Sequence, residues 1–90
     1  MVDEDKELNK LRRKVDMLDD RLSEILKKRL ELTKEIGMYK KKNKISMRDL
    51  NREGRVIERV IKNKVPERPT RKIYNILFEK SVRMQEGVKW

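Results

Sequence analysis

Ninety residues allow one domain at most, and a lone chain of this size buries so little of its surface that a partner subunit is expected. With no cysteine and no histidine, the chain excludes disulfides, thiolate or imidazole metal sites, cysteine nucleophiles and Ser-His-Asp triads. A formal charge of +10 invites a nucleic-acid reading, and charged residues reach 47%, but the apolar 36% recurs periodically, which argues for order.

From Leu8 one row of positions repeats with heptad spacing: Leu8, Leu11, Val15, Leu18, Leu22, Ile25, Arg29, Leu32, Ile36 and Tyr39. Arg29 is its one charged member. No proline interrupts residues 5–42, so this stretch predicts a single helix of roughly 55 Å at about 1.5 Å per residue. The polar run from Lys40 to Lys44 leads to Ser46, the expected N-cap of a second helix over about 47–64, with Leu50, Glu53, Ile57 and Val60 on its stripe. Gly54 inside that helix, next to Glu53, costs about 1 kcal/mol relative to alanine.

Val65-Pro66-Glu67-Arg68-Pro69 breaks the chain, and because proline is tolerated in a first helical turn, a third helix is expected over about 67–87. Its stripe runs Tyr74, Leu77, Phe78, Ser81, Met84, Gln85 and Val88. Strand alternation, internal repeats and a phosphate-binding glycine loop are all missing, so the fold class is all-α and residues 1–90 read as one domain. No stretch has the length of a membrane span, and residues 1–10 are too charged for a signal peptide core, so a soluble cytoplasmic protein without a membrane partner is expected.

Each helix places something costly on its apolar stripe: Arg29 in the first, Glu53 in the second, Ser81 and Gln85 in the third. A buried charge without a partner is expensive, so these residues either pair with one another or receive a ligand. Singly, Arg29 can specify register in a helix pair, Glu53 can serve a salt bridge, and Ser81 with Gln85 can bond between helices. Together they resemble the lining of a polar cavity.

Lys40 lies 11 residues after Arg29, so both leave the same face of the first helix about 16 Å apart and can converge on one ligand. Arg12 is 17 residues before Arg29, about 25 Å along the axis, and can serve the same ligand only if an antiparallel copy delivers it. In the second helix Asp49, Arg52 and Glu53 share one face. For Asp49 a place in the helix's first turn, favoured by the dipole, competes with a role in the site.

The run Leu11-Arg12-x-x-Val15-Asp16-x-Leu18-Asp19, then Arg29, Gly37-x-x-Lys40, Arg48-Asp49-x-x-Arg52-Glu53 and Ser81-x-x-x-Gln85, resembles the all-helical class of chorismate mutases across nearly the whole chain. The resemblance implies an intertwined homodimer of long first helices, with two equivalent sites built from both chains. It implies rearrangement of chorismate to prephenate, the committed step toward phenylalanine and tyrosine, with no cofactor and no metal. Under it, Arg29 and the other chain's Arg12 pair with the two substrate carboxylates, while Lys40 and Gln85 donate to the ether oxygen of the breaking bond. Glu53 and Lys40 hold the ring hydroxyl, and Ser81, Asp49 and Arg52 support the carboxylates and the pocket wall. Where relatives often carry a proline before Arg48, this chain has Ile45-Ser46-Met47.

Such chemistry suits the composition, because a concerted pericyclic shift needs neither nucleophile nor proton transfer. One alternative is an isochorismate pyruvate lyase of the same fold, against which Glu53 argues. The other is a basic helical nucleic-acid binder, against which stand an aromatic content of 4% and cations on apolar stripes. Chorismate and a second copy of the chain are therefore the expected partners, without nucleic acid.

Overall fold

With no proline and no competing cap, the first helix, α1, runs unbroken over Asp3–Lys42 in the computed structural model, which describes residues 3–87 and side chains from residue 5. Its end is a Schellman turn: Ile45 N–H reaches back to the Lys40 carbonyl at 2.9 Å and Lys44 N–H to the Lys41 carbonyl at 3.4 Å. Lys44 takes the left-handed conformation this turn requires, with φ of 54°. The turn folds the chain back so that residue 47 returns to the last turn of α1.

The second helix, α2, covers Leu50–Lys62, shorter at both ends than the predicted 47–64. Its N-cap is Asp49, whose Oδ1 accepts from the Arg52 N–H at 3.0 Å, and not Ser46, whose hydroxyl instead donates to the Arg48 carbonyl at 3.3 Å. An aspartate three residues before a free N–H outcompetes a serine whose hydroxyl is engaged within its own loop. At the other end Lys64 is left-handed, with φ of 69°, and stops the helix two residues early. The third helix, α3, spans Glu67–Gln85 after the N-cap Pro66. Thr70, buried, donates both its N–H and its hydroxyl to the Pro66 carbonyl and thereby fixes the first turn. The expected continuation to residue 87 is replaced by a turn at Glu86 and Gly87, and Val88 of the predicted stripe lies outside the described residues.

The chain is all-α among the described residues, and no helix is long and apolar enough to cross a membrane. It divides at Glu31 and Leu32 into two units. The described residues of the first are helix alone, and its heptad row from Leu8 to Ile25 is 44–61% exposed. In the second, α2 packs on α3. Ile57 and Phe78 are buried, with the Tyr74 ring tilted against Phe78 at 5.7 Å between centroids. Val56, Val60 and Ile61 complete the covered side of α2. Leu50, expected on that stripe, is instead 68% exposed because it stands at the helix's first position.

Gly54 does not break α2, and a Cβ built there meets nothing within 4 Å. Its glycine therefore costs helix stability without a packing reason. Gly54→Ala is expected to stabilise the fold by about 1 kcal/mol in chemical denaturation. A neutral or destabilising result would show that the space around residue 54 is not free in solution.

Candidate functional site

The second unit joins two of the predicted residues, Lys40 and Gln85, by a direct hydrogen bond and ties a third, Glu53, to the turn beside them. Lys40, in the last turn of α1, is half-buried, and its Nζ donates to Gln85 Oε1 at 3.0 Å and to the Met47 carbonyl at 2.8 Å. Immediately after Met47, Arg48 donates through Nη2 to Glu53 Oε1 at 2.9 Å. Lys40 thus ties α3 to the turn after α1, and Arg48 ties that turn to the first turn of α2. The Schellman turn is what allows this, since it returns the Met47 carbonyl to the helix it just left.

Donor counting shows what the cluster has left to offer. An ammonium carries three N–H donors, of which Lys40 uses two here, leaving one. Because Gln85 accepts at Oε1, its Nε2 keeps both N–H groups for another acceptor. Glu53, whose side chain is 17% exposed, gives one oxygen to Arg48 and keeps capacity on the other. Lys40 and Gln85 can donate to an oxygen, and Glu53 can accept from a hydroxyl.

The remaining candidates divide. Ser81 is buried on α3, one turn before Gln85 and on the same side. Arg52 is exposed, and the Asp49 carboxylate is engaged in capping α2. Arg12 and Arg29 belong to the first unit, where Arg12 is exposed and Arg29 half-buried. Arg48, which opens the run Arg48-Asp49-x-x-Arg52-Glu53, is a residue that sequence reasoning misses, and its tie to Glu53 shows what i, i+5 spacing across a helix start can do. The Met47 carbonyl leaves no trace in side-chain pattern at all.

Charge is unevenly distributed. Residues 32–90 hold 17 Lys and Arg against 7 Asp and Glu, while residues 1–31 hold 9 of each, so the formal excess lies wholly in the second unit. A local potential of this sign raises the concentration of anions around the Lys40 cluster. Among the described residues no group of acidic side chains is arranged to hold a metal ion.

A family model, chorismate mutase type II, matches residues 11–86. All eight candidate residues, from Arg12 to Gln85, fall inside the matched segment. No curated protein and no solved structure was found to match the chain.

Proposed function

The chain belongs to the chorismate mutase type II family, enzymes that isomerise chorismate to prephenate, and from that premise we propose that Lys40 and Gln85 form the reacting end of its active site. The observation that carries this reading is the 3.0 Å bond between Lys40 Nζ and Gln85 Oε1. It orients two donors at one place, the remaining ammonium proton and the amide N–H groups. In the rearrangement the ether C–O bond lengthens while a C–C bond forms, and negative charge grows on the ether oxygen. Donors already fixed by Gln85, Met47 and the turn need no reorganisation as that charge appears. The protein must also hold the enolpyruvyl arm over the ring, which is a matter of positioning both carboxylates.

In this proposal Arg29 and Arg12 of the partner subunit pair with the carboxylates, and Glu53 accepts from the ring hydroxyl with Lys40 beside it. Arg48 holds the Glu53 carboxylate in place. Ser81, Arg52 and Asp49 line the carboxylate end, Asp49 through the helix start that it caps. The metabolic setting proposed is synthesis of phenylalanine and tyrosine. Neither cofactor nor metal takes part, because the reaction is intramolecular and redox-neutral.

Support for a homodimer comes from the first unit. A solitary amphipathic helix is marginal in water, and helical stability in proteins comes mainly from packing an apolar face. Leu8, Leu11, Val15, Leu18, Leu22 and Ile25 are each about half exposed. Covering the rest would contribute about 1 kcal/mol apiece. A second copy of the same heptad row is self-complementary, and it supplies the cross-chain arginine that the site needs.

The deciding experiment follows chorismate by absorbance and identifies the product. Prephenate is expected. Salicylate from isochorismate, with no prephenate from chorismate, would move the assignment to the lyase. Because an amide at position 85 carries no titratable proton, kcat/KM is expected to stay flat between mildly acidic and neutral pH. A steep loss as pH rises from mildly acidic to neutral would count against Gln85 as the group facing the ether oxygen.

A further inference from the structure

Gly37 is buried in α1 one turn before Lys40, and a Cβ built on it would lie 2.6 Å from the Gln85 Cα and 2.9 Å from its Cβ. Carbon atoms in contact sit about 3.5–4.0 Å apart, so no side chain fits without driving α3 away from α1 by about 1 Å. The obstructing atom is backbone, which cannot swing aside as a side-chain end would. A glycine in a helix interior costs about 1 kcal/mol relative to alanine, and here, unlike at Gly54, a close approach explains it.

We propose that Gly37 is a positioning residue for the reaction: its missing side chain sets the α1–α3 separation at which Lys40 Nζ and Gln85 Oε1 bond. Residues three apart on a helix share a side, so this close approach lies beside the pair of Lys40 and Gln85 that it serves. The bond is 3.0 Å long, and an added 1 Å takes it beyond hydrogen-bond range. Gln85 would then lose the acceptor contact that fixes its amide, and Lys40 would keep only the Met47 carbonyl. The inference deepens the proposed roles of Lys40 and Gln85 and rests on them for its kinetic consequence.

Gly37→Ala is tested in the Gly54→Ala background, to offset lost stability, with two readouts. Kinetically, kcat should fall about 10²-fold, the scale of a 1 Å misplacement, while KM changes by less than about 3-fold. Adding Lys40→Ala should then cost much less than it does in the parent, since both act through one contact. Without substrate, the Gln85 side-chain amide resonances should shift in Gly37→Ala as they do in Lys40→Ala. Unmoved amide resonances, additive kinetic losses, or no folded Gly37→Ala protein even in the stabilised background would each overturn the proposal, leaving Gly37 a packing residue only. If the parent converts no chorismate, the roles of Lys40 and Gln85 in catalysis fail, and the amide resonances still decide whether Gly37 sets their contact.

Discussion

Lys40→Ala is expected to lower kcat/KM by about 10³-fold or more, or about 4 kcal/mol of transition-state stabilisation. Loss of a single neutral oxyanion donor costs about 10² to 10³ in rate, and Lys40 is both charged and responsible for holding Gln85 and the Met47 carbonyl. Most of the loss should appear in kcat, because the proposed carboxylate partners, Arg29 and Arg12 of the partner subunit, are untouched. Lys40→Met separates charge from bulk, since it keeps an unbranched chain without a donor. The site is half-buried, so water can reach the orphaned acceptors, and the fold should lose only about 1 kcal/mol in a thermal melt. Turnover within tenfold of the parent in the Met variant would mean that Lys40 does not act on the ether oxygen.

The parts of this protein that could be read from its residues are those with a period. Ten heptad positions without a proline define α1, and Pro66 with Pro69 defines the start of α3. The start of α2 was misplaced because Ser46 and Asp49 both qualify as caps by type, and only the three-dimensional turn after α1 decides which one meets a free N–H. Polar residues on apolar stripes pointed correctly to Glu53, Ser81 and Gln85 as covered positions. The Lys40 contact with the Met47 carbonyl depends on a left-handed lysine at residue 44, a conformation for which that residue type gives no signal. Gly37 was legible as a glycine in a helix, but its meaning depends on which residue of α3 stands opposite.

Mixing two inactive variants, Arg12→Ala and Lys40→Ala, is expected to restore activity, and this result tests the shared site most directly. If Arg12 serves the partner's Lys40, a mixed dimer concentrates both defects in one site and leaves the other intact. Free exchange makes about half the dimers mixed, so activity should approach about a quarter of the parent's in a two-fold symmetric assembly. Co-expression or joint refolding supplies the exchange that two long paired helices would slow. A mixture no more active than the sum of its parts would place Arg12 in the same site as its own chain's Lys40, or outside the site altogether. The control follows from the intrachain bond between Lys40 and Gln85. Lys40→Ala mixed with Gln85→Ala puts one defect in each site of the mixed dimer, so that pair should remain inactive, and recovery there would show that Lys40 does not work with the Gln85 of its own chain.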